Sequence, residues 1–250
     1  MVDFLYRRNV VLETIRAGRR DLRRLLVAVD ADPLAVKEIL SAADKRHVRI
    51  EQRQTKELNI ISQGDNHQGV VLEVGVYPYA EFDEPIQLAT AANEPPLLLL
   101  LDQVQDPANV GRLLRTAEAC GVHGVYLPDK GSGEITPAVV TASMGASEHM
   151  RVVRVNNMAQ TINTLKHSDI WIAGLDLAPT AQVFGQVDLN RPLGIVVGNE
   201  GTGIRRLVRE KCDFLIRLPM RGQVQSLNAA IAGSIVLYAA WQARGFKVSG

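Results

Sequence analysis

Five leucines in succession, Leu97–Leu101, followed by "DQV", restrict this chain more than any other stretch. A strand with one wet face alternates apolar and polar residues. An unbroken apolar run is buried on both faces, as in a parallel sheet covered by helices on each side. The next segment, "NVGRLLRTAEAC", changes period. Val110, Leu113, Leu114 and Ala117 recur at i, i+3, i+4 and i+7, one core face of a helix. Gly121 follows as its stop. "GVYLP", "RVVRV", "IWIAGLD", "LGIVVG" and "FLIRLP" read as further strands, each beside a helical segment. Strand–helix alternation with short connections predicts an α/β fold with parallel pairing and right-handed crossovers over residues 97–250.

A smaller α/β domain is expected over residues 1–77. "NVVLETIRAG" reads as a helix closed by Gly18, and "DPLAVKEILSAA" as a second with Asp32 as N-cap and Pro33 in the first helical position. "LRRLLVAV", "HVRIEQ" and "GVVLEVGVY" read as strands. Pro78, Pro85, Pro95 and Pro96 mark residues 78–96 as the linker. Net charge is only +1, so no global field announces a polyanionic partner. Residues 1–62 carry 13 Lys/Arg against 9 Asp/Glu. That local excess fits an RNA-facing surface or an ordinary solvated helical one. Cys120 and Cys212 form no C-x-x-C pair, which argues against a metal site and for a reducing compartment. The N-terminus has no apolar signal core, and "AAIAGSIVLYAAW" is too short to span a bilayer. A soluble, cytoplasmic protein, or an organellar one freed of its targeting segment, is expected.

Ligands of open α/β sheets sit beyond the carboxyl ends of the strands. Three segments end strands there with unusual residues. "GIVVGNEGTGI" has the look of a nucleotide loop, but its glycines, Gly198, Gly201 and Gly203, read G-x-x-G-x-G. Neither the P-loop spacing nor the dinucleotide one is met, and Glu200 would repel a pyrophosphate. The loop suits close backbone approach to a ligand carrying positive charge. "LPMRGQVQSLN" leads into a helix with Ser226 as a plausible N-cap, Asn228 in its first turn, and Leu227, Ile231, Ile235, Tyr238 and Trp241 as a core stripe. "DQVQDPANVGRLLR" starts a helix with Asn109 and sets Arg112 and Arg115 off the core face, where two guanidiniums can hold an RNA phosphate or simply be solvated.

Together the three segments resemble the sequence motifs of the SpoU-type RNA ribose 2′-O-methyltransferases, the knotted SPOUT class. "DPANVGRLLRTAEACGV" carries Asn109, Gly111 and Arg115; "IVVGNEGTGI" carries Gly198, Asn199, Glu200 and Gly201; "LPMRGQVQSLNAAIA" carries Pro219, Met220, Ser226, Leu227 and Asn228. "NVVLETIRAG" and "HQGVVLEV" add a looser likeness to the ribosomal-protein-like RNA-binding domain of members that modify a guanosine in large-subunit rRNA. Gln225, Ala229 and Ala230 depart mildly from the third motif.

The resemblance implies S-adenosylmethionine as methyl donor, a C-terminal trefoil knot, a homodimer through the knotted region, an rRNA substrate, and no metal. It implies Arg115, Asn109, Glu200, Ser226 and Asn228 as the catalytic set. Gly174, Gly198, Asn199, Gly201, Leu218, Met220 and Leu227 would hold the cofactor. Arg115 maps to the family's catalytic position. A guanidinium is always protonated and makes a poor base, so it is read as a clamp on the acceptor's phosphate. Ser226 and Asn228 would orient the ribose, and Asn109 would hold the motif loops together or touch RNA. Glu200 would face the cofactor or orient Arg115. The competing readings are a tRNA-specific enzyme, a non-catalytic RNA-binding protein of the same fold, and a nicotinamide-dependent dehydrogenase, whose fingerprint is missing.

Overall fold

A computed structural model describes residues 2–129 and 134–247. The chain forms two compact units, Met1–Pro78 with Ile135–His149, and Tyr79–Glu134 with Met150–Gly250.

The first unit opens with β1 (Asp3–Tyr6), α1 (Arg8–Ala17), β2 (Leu22–Ala28), α2 (Pro33–Lys45), β3 (Arg49–Arg53), α3 (Thr55–Ile61) and β4 (Val70–Val74). The strands lie in the order β1-β4-β2-β3, antiparallel except for the parallel β2–β3 pair. α1 and α2 bury Val10, Val11, Ile15, Val36 and Ile39. α3 inserts Leu58 against Leu26, Ala28 and Val71. The caps form as the residue types dictate. Gly18 is left-handed at φ 58° and donates its N–H to Thr14, and the Asp32 carboxylate accepts from Leu34 N–H. Beyond the expected elements stand β1 and α3. α3 starts on a capping box in which Gln54 and Glu57 reciprocate.

The second unit begins inside the segment read as a linker, where α4 (Glu84–Ala91) forms. α4 is followed by β5 (Leu97–Asp102), α5 (Pro107–Ala119) and β6 (Gly124–Pro128). Pro85 lies where a Cβ on Gly124 would come within 2.3 Å of its Cγ, and the Tyr126 hydroxyl donates to Phe82 O at 2.9 Å. Packing of apolar side chains against β6 orders a stretch whose prolines suggested an open connection.

The chain next contributes α6 (Pro137–Ala142) and the 3-10 turn Ala146–His149 to the first unit. That turn delivers Glu148 to Arg20, whose side chain is fully buried. Arg20 Nε lies 2.9 Å from Glu148 Oε2, and its other arm reaches Asp3 at 2.8 Å. Burial raises Glu148 against the lowering effect of Arg20.

The second unit then resumes with β7 (Val152–Val155), α7 (Met158–His167), β8 (Trp171–Leu175), β9 (Gln182–Val183), β10 (Leu193–Gly198), α8 (Arg206–Arg209), β11 (Phe214–Arg217) and α9 (Ala229–Ala243). Among the described residues its seven strands run in the order β7-β6-β5-β10-β8-β11-β9 with every pair parallel. Leu97–Leu101 occupy the middle of this sheet, each at most 1% exposed. The sequence proceeds outward from β5 through β6 and β7, then places β10 and β8 on β5's other side. The reversal falls between β5 and β10, and the glycine-rich loop leaves the carboxyl end of β10 next to it.

α9 corrects one expectation. Its buried residues are Ala230, Gly233, Val236, Leu237 and Ala240. The stripe expected in the core faces outward: Leu227 is 37% exposed, Ile231 50%, Ile235 37% and Tyr238 47%, with Trp241 half-buried. The helix is apolar all round, so periodicity alone cannot choose its inner face. Close approach chooses it: a Cβ on Gly233 would stand 2.6 Å from Leu113 of α5, a gap that only the small-residue face can enter. Among the described residues no helix is long and apolar enough to cross a membrane.

Candidate active site

At the carboxyl ends of β8, β10 and β11 lies a cleft of about 360 Å³. Its floor and walls include Gly198, Leu218, Met220 and Leu227, with Glu200 and Ser226 among its polar groups. Of the seven residues expected to hold a cofactor, Gly198, Asn199, Gly201, Leu218, Met220 and Leu227 line this cleft. Gly174 does not. It lies within β8, where a Cβ would meet Cys212 Sγ at 2.9 Å and Ile204 Cδ1 at 3.0 Å, so it is a packing glycine one layer below.

The glycine-rich loop is built around its first glycine. A Cβ on Gly198 would fall 2.2 Å from the backbone of Gly203, so the loop folds directly back over a residue that cannot bear a side chain. Asn199 and Gly203 close the fold with reciprocal backbone hydrogen bonds of 3.1 and 2.9 Å. Gly203 adopts φ 66°, in the left-handed region that favours glycine. The Asn199 side chain stitches the loop together. Its amide donates to Gln103 O at 3.0 Å and its carbonyl accepts from Gly201 N–H at 2.9 Å. A Cβ on Gly201 would have only Asn199 Oδ1, at 3.7 Å, within contact range, so bare backbone faces the open cleft.

Three distant segments meet at the loop's edge. Asn109, 2% exposed, donates its amide to Glu200 Oε1 at 2.6 Å. Asn228 donates to the same oxygen and to Asn109 Oδ1. Arg112 adds a 3.2 Å bond to Asn109 Oδ1. Glu200 Oε2 has no hydrogen-bond partner among the described residues. One oxygen of the carboxylate is therefore fixed by two amides while the other is free to meet a ligand.

Other sequence expectations resolve differently. Asn228, not Ser226, caps α9: its side-chain oxygen accepts from Ala230 and Ile231 N–H at 2.9 and 3.2 Å. Both are good capping residues two positions apart, and the one that also meets Glu200 takes the role. Ser226 is exposed and lines the cleft with its hydroxyl unengaged among the described residues. Glu200 is paired with the two asparagines and not with Arg115. Arg115 is exposed on α5 and has no ion pair among the described residues. The sequence reading did not single out Asp102, fully buried at the end of β5 and bonded to Arg205. Its signal was the carboxylate closing an all-leucine strand. Neither thiol supplies a nucleophile: burial pushes Cys212 up to about 12 and Cys120 up to about 11.

The donor set fits a nucleoside bearing a positive centre. Apolar walls and bare backbone suit an adenine, and the free carboxylate oxygen suits a sulfonium.

Comparison with known proteins identifies the family. The family profile described as the SpoU rRNA methylase family matches residues 96–238, and that described as RNA 2′-O ribose methyltransferase substrate binding matches residues 4–80. YacO of Bacillus subtilis (strain 168), named for the TrmH family of tRNA/rRNA methyltransferases, is 40% identical over 242 residues, 97% of this chain and 96% of that protein. The structure of a TrmH-family RNA methyltransferase from Porphyromonas gingivalis is 26% identical with a TM-score of 0.76, covering 97% of this chain and 90% of that one. The SpoU methyltransferase AviRb of Streptomyces viridochromogenes, solved with AdoMet, shares the fold at a TM-score of 0.80 and 22% identity, covering 98% and 92%.

Proposed function

Because this chain belongs to the SpoU rRNA methylase family and is an S-adenosylmethionine-dependent RNA methyltransferase, we propose that its acceptor is a ribose 2′-hydroxyl, that of a guanosine in large-subunit rRNA. The observation that carries this reading is the meeting of Asn109, Glu200 and Asn228 at the edge of the cleft. The family profiles on both units support it.

S-adenosylmethionine supplies, when bound, a methyl group made electrophilic by its sulfonium. Leu218, Met220 and Leu227 would hold its base, with backbone from Gly198 to Gly201, and the free oxygen of Glu200 would favour its positive centre. Asn109 and Asn228 keep Glu200 aimed by bonding its other oxygen. Ser226 accepts or donates to the acceptor ribose. Arg115 grips the acceptor's phosphate and stabilises charge growing on the 2′-oxygen. Transfer to that oxygen would break the donor's sulfur–methyl bond and leave S-adenosylhomocysteine, and the hydroxyl proton would pass to the phosphate or to water.

The exposed stripe Leu227, Ile231, Ile235 and Tyr238 supports a homodimer, since an apolar helical face of this kind is covered in solution by a partner. The C-terminal knot and a cytoplasmic location complete the reading.

The test is a methyl-transfer assay with labelled donor, followed by mapping of ribose methylation in cells with and without the protein. One rRNA guanosine is expected to lose its 2′-O-methyl group in the cells without it. Loss of a tRNA methyl instead would overturn the rRNA assignment, and loss of a base methyl would overturn the ribose assignment.

A further inference from the structure

The glycine-rich loop is anchored at both ends by the end of β5, through Asp102 and Gln103. At its start, Asn199 bonds Gln103 O at 3.0 Å, and Gln103 holds the left-handed conformation at φ 62° that brings this carbonyl there. At its end, Asp102 takes hold of Arg205. Asp102 Oδ2 accepts from Arg205 N–H at 2.8 Å; Oδ1 accepts from Nε at 2.8 Å and lies 2.6 Å from NH2. Asp102 is fully buried, while the Arg205 side chain is 43% exposed. In the sheet register Asp102 stands beside Gly198, the residue from which the loop departs. One carboxylate thus ties the end of the loop to the strand position next to its beginning.

A buried carboxylate is costly, and an apolar residue of similar size would serve the core at least as well. Its worth here is geometric. A charged fork engages two donors of one guanidinium and the backbone N–H behind it, which fixes Arg205 in position and direction. Residues 199–204 are then held between two fixed points, and their backbone is presented to the cleft in a single shape. A loop already in its bound shape loses less conformational freedom on binding, and the gain appears as affinity.

We propose that Asp102 and Arg205 are a positioning pair that holds the glycine-rich loop in its cofactor-binding shape, so that the pair governs cofactor affinity and not methyl transfer itself. The proposal rests on the reading of the cleft as the cofactor site. It is independent of which RNA is modified.

The test uses the full chain carrying Asp102→Asn or Arg205→Lys. Each variant is titrated calorimetrically with S-adenosylhomocysteine and assayed for kcat and for KM of the methyl donor, with Tm recorded alongside. Asp102→Asn keeps the shape but loses the charge-assisted fork, and its Kd is expected to weaken on the order of tenfold. Its kcat at saturating donor is expected within about threefold of the parent. Arg205→Lys keeps the charge and the backbone N–H without the fork, and falls between the two. A lowered Tm with Kd unchanged would make the pair a scaffold element and overturn the proposal; a loss confined to kcat would overturn it too. If Asp102→Asn does not fold, Arg205→Lys is read by the same criteria. Failure of the parent protein to bind S-adenosylhomocysteine would instead overturn the reading of the cleft.

Discussion

Arg115 and Arg112 sit three residues apart on one helix, yet the structure gives them different surroundings. Arg112 bonds Asn109 at 3.2 Å, while Arg115 is exposed without an ion pair among the described residues. An exposed guanidinium without an ion pair is suited to a phosphate brought by the substrate. Arg115→Ala is therefore expected to lower kcat/KM by about a hundredfold or more, as removal of one stabilising donor does. Cofactor binding should stay within about twofold, since Arg115 does not line the cleft. Loss of S-adenosylhomocysteine binding in calorimetry would contradict that division of labour. Single residues were legible in sequence where chemistry acts locally: Gly18 at a helix end, Asp32 and Pro33 at a helix start. They were illegible where the partner comes from afar. Glu200 lies 91 positions from Asn109 and 28 from Asn228, and nothing along the chain tells which distant polar group its carboxylate meets.

Two elements show the same divide. α5 was readable because its apolar residues occupy one face; Val110, Leu113, Leu114 and Ala117 are all fully buried. α9 was not, because apolar residues surround it and the choice of face depends on how closely α5 can be approached at Gly233. Its second apolar face now has a use in the proposed dimer. Ile235→Asp introduces a charge there without touching the face packed on α5, so the variant should fold and sediment as a monomer. Sedimentation velocity at micromolar protein checks this. An unaltered dimer would move the interface elsewhere.

At the level of the whole molecule, the parallel sheet followed from alternation of period and from the leucine run. The parts played by residues 78–96 and 135–149 did not. Prolines signal a break in regular structure, whereas Pro85 and Phe82 are ordered by contacts with residues about 40 positions onward. Glu148 reaches Arg20 across 128 positions. A fragment ending at Pro78 would keep Arg20 with Asp3 and the Gly75 carbonyl but without Glu148, and removing one partner of a buried pair costs on the order of 3 kcal/mol. Such a fragment is expected to unfold at clearly lower urea than the first unit does in the intact chain, followed by Tyr77 fluorescence or amide exchange. An equal midpoint would show residues 135–149 to be dispensable. The RNA affinity of the first unit is best measured with those residues present. This connectivity also bears on ancestry. A gene trimmed or recombined at a single point near codon 78 would strand a piece of one unit's interior in the other's reading frame. A lineage that kept only the second half would have to cover by other means the side of α6 that packs on β1.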